Sequence, residues 1–236
     1  AMGEGLVSHL FYLTAKTSTR AVAEEGFSLM QQKGLRLKRV TLTAKDKICF
    51  LPERLCNPDD CPYAKDYFDR IQDVLFEMLE KEDSRQTIEH WAKEKTLCPF
   101  ELGLDLSSWC DAIICDYNYL FDPVVYLKRF FDHRDRYAFL IDEAHNLLDR
   151  ARGMYSAMLQ KSDVLTCKKL AEPLFKPLSK SFNTLNREML SLKKQILAQE
   201  DNSEHALSFP SIPKPFWKAA QNTLSCCSQF LDGFLP

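Results

Sequence analysis

Two adjacent carboxylates follow a short apolar run, in the order Tyr137-Ala-Phe-Leu-Ile-Asp142-Glu143-Ala144-His145. If the run is a strand, the carboxylates lie at the carboxyl edge of a sheet, where α/β folds bind ligands. Hydrolases of nucleoside triphosphates need this pair, because the Asp holds Mg²⁺ and the next Glu orients or deprotonates the attacking water. His145 could couple the phosphate site to a neighbouring domain. The pattern predicts a nucleotide and Mg²⁺ site at Asp142 and Glu143, with His145 as a third catalytic residue.

The same carboxylates have a simpler interpretation as the start of a helix. Asp142 would then cap the helix, and Glu143 would interact favourably with the helix dipole. For an Asp-Glu pair alone this interpretation would be preferred. The whole tetrapeptide after a five-residue apolar run is much rarer, which favours the catalytic interpretation.

Four cysteines form a second group, with the spacing Cys49-x6-Cys56-x4-Cys61-x36-Cys98 and a Pro after both Cys61 and Cys98. Four thiolates can bind either a cubane iron–sulfur cluster or a tetrahedral zinc ion. The absence of tight C-x2-C pairs favours iron–sulfur. The alternative is that these thiols are free and buried, as we expect of the other five cysteines. These are Cys110, Cys115, Cys167, Cys226 and Cys227.

Length and composition restrict the class of protein. The 236 residues are enough for one large domain, or for a core with an inserted subdomain. The formal net charge of −2 gives no overall positive field, so a nucleic-acid site must be a local patch. Seven glycines indicate few tight turns and many helices. With no long apolar run and no leader-like start, we predict a cytoplasmic protein whose thiols are free or bind metal.

The elements needed to position these residues can be located from periodicity. Residues 9–13 form a strand-length apolar run that precedes a polar loop and a helix over residues 21–32. Residues 37–43 are β-leaning and lie within a basic cluster between Lys33 and Lys47. Residues 65–81 form an amphipathic helix with Phe68, Ile71, Leu75 and Leu79 on one face.

Two later apolar runs complete the predicted sheet. Residues 112–115 and Tyr137–Ile141 lack alternation, as strands of a parallel sheet covered on both faces do. From residue 162 onward, prolines punctuate helical stretches such as 181–199. The predicted fold class is therefore α/β, with a parallel sheet core, a four-cysteine insertion and a mainly helical subdomain.

In this order the motifs resemble the XPD/DinG-type superfamily 2 DNA helicases, over roughly residues 9–155. Phe11-Tyr-Leu-Thr-Ala-Lys-Thr-Ser-Thr-Arg20 is similar to their motif Ia, and Lys47-Ile-Cys49 to the start of their cluster insertion. Cys98-Pro-Phe-Glu-Leu resembles the end of that insertion. Cys115-Asp-Tyr-Asn-Tyr-Leu-Phe-Asp-Pro123 resembles the strand and loop before motif II, and Asp142-Glu-Ala-His145 resembles motif II itself.

The resemblance implies a partial RecA-like fold and a division of the chain into segments. Residues 1–46 and 103–160 would belong to the first motor domain, and the latter segment would carry the DEAH box. Residues 47–102 would form the iron–sulfur insertion, and residues 161–236 a truncated, arch-like helical subdomain.

The resemblance also implies a function. Such an enzyme hydrolyses ATP, moves 5′→3′ on single-stranded DNA and unwinds duplexes, for instance in DNA repair. Cys49, Cys56, Cys61 and Cys98 would ligate a [4Fe–4S] cluster, Asp142 would bind Mg²⁺ and Glu143 would activate water. Loss of a ligand such as Cys56 or Cys98 should loosen residues 49–62 and 97–102, while the core around Ile113 and Leu140 persists. The partners would be ATP and single-stranded or forked DNA, with no membrane, and the protein would be a monomer.

The motif Ia loop and the loop after residue 115 hold candidate DNA contacts. Hydroxyls and cations suit phosphate, which favours Thr14, Lys16, Thr17 and Arg20. The alternative is a solvated loop in which Thr17 caps a helix. Tyr117, Asn118 and Tyr119 could stack on the strand or hydrogen-bond to it, but aromatic packing beneath a loop is an equal alternative.

One expected motif is missing. The sequence contains no G-x-x-x-x-G-K-[ST] phosphate loop, which the resemblance places just before residue 1. We therefore predict a fragment that alone hydrolyses no ATP. The alternative function is a non-catalytic iron–sulfur or zinc module that binds single-stranded nucleic acid. An iron–sulfur nuclease would need a further Asp/Glu/Lys metal site, and the sequence offers no convincing one.

Overall fold

A computed structural model describes residues 2–15, 17–79, 85–198, 206 and 208–233. The chain divides into two compact units, Ala1–Ser156 and Ala157–Pro236. The first unit contains a parallel sheet with helices, and the described part of the second unit is helical. Among the described residues, no helix is both long and apolar enough to cross a membrane.

The sheet has four parallel strands in the spatial order β2-β3-β1-β4. The strands are β1 His9–Thr14, β2 Arg39–Thr41, β3 Ala112–Asp116 and β4 Tyr137–Ile141. The register pairs Thr14 with Asp116 and Leu13 with Ile141, so the carboxyl ends of β1, β3 and β4 lie at one edge. The predicted α/β class with a parallel sheet is confirmed.

The two apolar runs differ in burial. Ala112, Ile113, Ile114 and Cys115 on β3 are fully buried. On β4, by contrast, Phe139 is 38% exposed and Leu140 is 49% exposed. The prediction that both strands are covered on both faces is therefore right for β3 and wrong for β4. β3 pairs with strands on both sides, whereas β4 lies at one edge of the sheet; β2, at the other edge, nevertheless buries Val40 and Thr41.

Helices connect and cover the strands of the first unit. They are α1 Thr17–Gln32, α2 Lys45–Ile48, α3 Tyr67–Met78, α4 Arg85–Glu94, α5 Pro99–Ser107, α6 Asn118–Phe121, α7 Lys128–Phe131 and α8 Leu147–Met154. The amphipathic helix predicted over residues 65–81 is α3, which buries Ile71, Val74 and Met78. Phe68, predicted on its apolar face, is 78% exposed.

One hydrophobic core joins the cysteine-rich segment to the sheet. Ile71 of α3 and Trp91 of α4 belong to the same buried cluster as Phe11, Val40 and Ile113 of the strands. Phe11 packs against the rings of the α7 segment and β4, with ring centroids 5.3 Å from Phe130 and 5.6 Å from Phe139. The helices of residues 47–102 are therefore anchored by sheet residues as well as by one another.

The described part of the second unit contains three helices, α9 Lys161–Ala171, α10 Lys176–Leu197 and α11 Lys214–Asp232. Each contributes a residue to a small core, namely Val164, Leu185 and Ala219. Pro177 and Pro215 lie in the first turns of α10 and α11. An N–H group in the first turn has no acceptor within the helix, so proline loses no hydrogen bond there.

Candidate active site and thiol cavity

The carboxyl edge of the sheet brings together residues that are far apart in sequence. Thr14 ends β1, Asp116 ends β3, and Asp142 directly follows β4. The backbone N–H of Asp142 donates to the carbonyl of Leu13 at 3.0 Å, which continues the β1–β4 pairing by one residue. The first carboxylate of the DEAH tetrapeptide is thus fixed at the edge where parallel α/β sheets bind ligands.

The loop of residues 142–146 is held by its own polar groups. His145 Nε2 lies 3.1 Å from Glu143 Oε2, and the side-chain amide of Asn146 donates to the same oxygen at 3.4 Å. The backbone N–H of Asn146 donates to the Glu143 carbonyl at 2.9 Å. The Glu143 side chain is 35% exposed and that of His145 is 73% exposed. The carboxylate proposed to act on water is therefore oriented yet open to solvent.

Glu143 has a positive φ of 52°, in the left-handed region. A non-glycine residue there costs about 1–2 kcal/mol, and such strain persists only where the surroundings enforce it. The Asp142–Glu143 pair does lie at a helix start, but Asp142 is not the cap: a 3₁₀-helix over Ala144–Asn146 has Glu143 in the cap position, and α8 begins directly after it at Leu147. Asp142 and Glu143 form a turn after β4, and Ala144 and His145 begin the 3₁₀-helix that leads into α8.

Side chains behind the loop connect it to β3 and α8. Tyr117 is fully buried, and its hydroxyl donates to the carbonyl oxygen of Asp142. Arg150 Nη2 lies 2.9 and 3.1 Å from the two carboxylate oxygens of Asp116. Asp116 Oδ1 also accepts from the backbone N–H of Asn118 at 3.0 Å. No local pattern in the sequence indicates that Arg150 and Asp116 meet, because the two residues are 34 positions apart.

The two tyrosines after β3 belong to the hydrophobic core of the first unit. Tyr119 is 8% exposed, so neither its ring nor that of Tyr117 offers a face for base stacking, and the alternative of packing beneath the loop describes both. Burial, with a smaller effect from neighbouring Cys115, raises the pKa of Tyr119 to about 12. Burial, followed by the charge of Asp142, also raises the pKa of Tyr117.

The motif Ia loop contributes polar groups at the same edge. Thr14 is 1% exposed, and Arg20 lies near the start of α1. Thr14 Oγ1, Arg20 Nε and Asn118 Oδ1 are buried and have no hydrogen-bond partner among the described residues. Thr17 is the first residue of α1, and Lys16 lies outside the described residues.

All four cysteines of the second motif line one cavity of about 350 Å³. Cys49 follows α2, and Cys98 directly precedes α5, whose first turn contains Pro99. Cys56 and Cys61 lie in the loop between α2 and α3, where Cys61 is 8% exposed. The cavity is also lined by Lys45, Phe50, Tyr63, Ala64, Tyr67, Phe68, Pro99, Glu101, Asp105 and Arg129.

The loop between Cys56 and Cys61 is shaped by Asn57. The Asn57 side-chain oxygen accepts from the backbone N–H of Asp59 at 3.0 Å and of Asp60 at 2.9 Å. The backbone N–H of Cys61 donates to the Asn57 carbonyl at 3.0 Å. Asn followed by Pro and two Asp is a turn sequence. This signal was present in the sequence and could have identified Asn57 as a residue that positions two cysteines.

The charges around the thiols are mixed. Lys45 Nζ lies 3.6 Å from the sulfur of Cys56 and 4.9 Å from the ring centroid of Phe100. Burial raises the pKa of Cys98, although backbone hydrogen bonds from Glu101 and Phe100 act in the opposite direction. Thiolates bound to metal would therefore have a cation nearby.

The four thiols are the kind of donor that a thiolate-bound cluster needs, and they line one cavity. A water molecule occupies about 30 Å³ in the liquid, so a cavity of about 350 Å³ is large enough for a polyatomic group. Four thiolates are the usual ligands of iron–sulfur clusters. Within the described ranges, no group of three or more His, Cys, Asp or Glu side chains lies close enough to hold a single metal ion. Of the other five cysteines, Cys110 and Cys115 are buried as predicted, whereas Cys167 is exposed and the last two are half-buried.

A hydrogen-bonded group links the cavity wall to the helix before β4. The Tyr67 hydroxyl donates to Asp105 Oδ2 at 2.9 Å, and Arg129 Nη1 donates to Asp105 Oδ1 at 2.9 Å. Burial, and then the charge of Asp105, raise the pKa of Tyr67. Asp105 thus connects α3, α5 and α7, and no sequence spacing indicated it.

Comparison with known proteins decides the family. The sequence profile of the DEAD_2 family matches residues 30–164, more than half of the chain. The chain belongs to the DEAD_2 family. The resemblance to XPD-type helicases is thereby confirmed, and the matched segment of this DEAD_2 chain includes all four cavity cysteines and the DEAH tetrapeptide.

A solved structure shares the fold of this DEAD_2 chain. A structure described as "Truncated XPD" matches with a TM-score of 0.53 and 15% identity, over 96% of this chain and 65% of that one. A second, described as "XPD_Helicase", matches with a TM-score of 0.49 and 15% identity, over 96% of this chain and 40% of that one. The chain therefore spans less than two thirds of the length of these structures. No curated protein matches it.

Proposed function

We propose that this DEAD_2 chain carries the motif II part of the first motor domain of an ATP-dependent DNA helicase, which moves 5′→3′ on single-stranded DNA and unwinds duplexes. The observation that carries the proposal is the position of Asp142 and Glu143 at the carboxyl edge of a parallel sheet, in a chain of this family. Sheet edges of this kind bind nucleotides in many α/β enzymes. The whole protein would be a cytoplasmic monomer that acts in DNA repair.

In the proposed reaction the two carboxylates have different tasks. Asp142 holds the Mg²⁺ that accompanies ATP, and Glu143 orients and deprotonates the water that attacks the γ-phosphate. His145 lies 3.1 Å from Glu143 and stays largely exposed, so it can pass contacts from a neighbouring domain to the catalytic carboxylate. ATP and Mg²⁺ are the substrate and its ion.

Polar groups at the same edge support a role in binding the DNA backbone. Buried polar atoms without partners are rare in folded proteins, so Thr14, Arg20 and Asn118 favour a bound polar ligand or its water. Lys16 and Thr17 extend this set by sequence position. Contacts of this type fix the strand without reading its sequence.

The four-cysteine cavity supports a [4Fe–4S] cluster as a structural cofactor. Cys49, Cys56, Cys61 and Cys98 would hold it, and when bound it would join the end of α2, the following loop and the start of α5. Thiolate ligation of this kind contributes directly to folding free energy. The chain's own contribution is to orient the thiols, through the Asn57 turn and the first turn of α5.

The 236 residues by themselves should not hydrolyse ATP measurably. They contain no G-x-x-x-x-G-K-[ST] sequence to bind the phosphates. Robust Mg²⁺-dependent turnover by the purified chain, lost in Glu143→Gln, would show this to be wrong.

The decisive experiment measures DNA-stimulated ATP hydrolysis by the full-length protein that contains this sequence. Glu143→Gln should lower kcat by about 100-fold or more and leave binding of single-stranded DNA intact. Asp149→Asn is the matched control, because this carboxylate lies on α8 and is 84% exposed. If the wild-type protein binds single-stranded DNA but shows no turnover, the function is instead that of a non-catalytic binding module.

A further inference from the structure

Three residues outside the DEAH tetrapeptide hold its loop at both ends. We propose that Arg150, Asp116 and Tyr117 are positioning residues that keep Glu143 aligned for hydrolysis. The inference rests on the proposed function, since it concerns the same catalytic carboxylate.

The first end of the loop is fixed at Asp142. Its backbone N–H donates to Leu13 of the central strand, and its carbonyl accepts from the Tyr117 hydroxyl. Both backbone groups of this residue are therefore paired with neighbours on β1 and in the segment after β3. Because Tyr117 is fully buried, the hydroxyl that reaches Asp142 has little freedom to move.

The second end of the loop is fixed through α8. Arg150 lies in the first turn of this helix and contacts both carboxylate oxygens of Asp116, at 2.9 and 3.1 Å. The two side chains are 39% and 29% exposed, so the pair is only partly screened by solvent. Asp116 is itself oriented by the backbone N–H of Asn118. The start of α8 is thereby tied to the end of β3.

The ion pair is one of the contacts that attach α8 to the sheet. None of the eight residues of α8 is fully buried, and the side chain of its cap residue, Asn146, bonds to Glu143 and not to the first turn of the helix. Leu147 and Met154 pack partly buried against the core, and the charge-assisted pair adds a directed contact between the helix and the end of β3. Glu143 lies between the two tethered ends in a left-handed conformation that only its surroundings maintain.

Releasing a loop that is held in this way should lower the rate of ATP hydrolysis more than the affinity for Mg²⁺-ATP. Catalytic groups must lie within about 0.5 Å of their productive positions, and a displacement of about 1 Å lowers the rate by about 100-fold. Releasing α8 would let Glu143 relax toward an ordinary backbone conformation. Asp142 would remain attached to β1 through its own backbone, so the affinity for Mg²⁺-ATP should change little.

The Arg150–Asp116 pair can be tested in the full-length protein by reversing each charge alone and then by swapping the two charges in a double variant. Arg150→Asp and Asp116→Arg should each lower kcat by about 10- to 100-fold, with KM for ATP changed by less than about twofold. The double variant with both changes should recover a substantial part of kcat, because it restores opposite charges. Arg150→Lys should be intermediate, since an ammonium cannot reproduce the planar guanidinium contact.

Arg152→Asp is the matched control on the same helix. Arg152 pairs at 3.4 Å with Asp149, and both side chains are more than two thirds exposed. This reversal should leave kcat unchanged. Hydrogen exchange of the amides of residues 142–146 in the 236-residue chain gives a readout independent of turnover. Exchange should accelerate in Arg150→Ala and in Tyr117→Phe, and should not change in Arg152→Ala.

Several outcomes would overturn the proposal. One is single variants that keep kcat within twofold of wild type. Another is a loss of kcat that parallels a fall in melting temperature and is not restored in the double variant, which would show that the pair is merely structural. Unchanged hydrogen exchange in Arg150→Ala would contradict it directly. Absence of turnover in the wild-type protein, or turnover insensitive to Glu143→Gln, would instead overturn the proposed function and this inference together.

Discussion

Cys61 and Cys98 line the same cavity, although 36 residues separate them in the sequence. Replacing Cys98 by Ser should therefore remove a cluster held jointly by the α2–α3 loop and the start of α5. After anaerobic purification, the wild-type protein should absorb broadly near 400 nm and contain about four irons and four sulfides per chain. The variant should lose this absorbance, and Cys167→Ser, which changes an exposed thiol in the helical unit, should not. One zinc per chain without colour would contradict the cluster and favour a zinc module.

The Cys98→Ser variant should loosen residues 49–62 more than residues 97–102. Leu97 and Leu102 are fully buried in the core that includes Ile113, so residues 97–102 should stay resistant to protease. Residues 49–62, which are mostly exposed, should be cut quickly. Leu140 is 49% exposed and cannot serve as a marker of the core, contrary to the expectation from sequence. Equal rates of cleavage in the core and in the loop would contradict this prediction.

Asp105 should stabilise the first unit through its two hydrogen bonds. Asp105→Ala leaves the hydroxyl of Tyr67, a residue that is 5% exposed, without its partner. The free energy of unfolding, measured with urea, should fall by about 1–3 kcal/mol. Tyr67→Phe should lower it less, and the double variant should lose less than the sum of the two. Asp149→Ala should stay within about 0.5 kcal/mol of wild type. Strict additivity would mean that the hydrogen bond contributes nothing.

Phe11 should be among the residues on which the sheet depends most. It is fully buried and has ring neighbours on α7 and on β4. Phe11→Ala should lower the free energy of unfolding by about 3–5 kcal/mol, because the cavity left behind can only partly collapse. Phe76→Ala removes a ring that is 75% exposed and should have little effect on chemical denaturation. Similar losses in both variants would contradict the placement of the core.

The first unit should lose stability in alkali through Tyr119. Its pKa is raised from 10.0 to about 12, chiefly by burial, so the folded state favours the neutral phenol. The resulting stabilisation, on the order of 2 kcal/mol, is present below pH 10 and is lost as the pH rises from about 10 through 12. Tyr119→Phe should therefore flatten the fall in the free energy of unfolding over this window. Tyr155→Phe, at a side chain 72% exposed, should leave the slope unchanged, and equal slopes in all three proteins would contradict the assignment.

The sequence by itself determined the features that depend on near neighbours. An apolar run followed by Asp-Glu-Ala-His specified a strand that ends in a pair of carboxylates, and periodicity specified α3 and α10. These features are local, because side-chain periodicity reports which face of an element is buried. The cysteine spacing likewise restricted the donor set to four thiols, although it left zinc and iron–sulfur open.

Only the tertiary structure decided which distant residues meet and which faces stay covered. Periodicity could not indicate that β4 lies at the sheet edge, with Phe139 and Leu140 partly exposed, because strand order is set by long-range pairing. It could not place Tyr117 beneath Asp142 rather than in solvent. Nor could it bring Arg150 to Asp116, since a parallel crossover determines that approach and no local spacing encodes it.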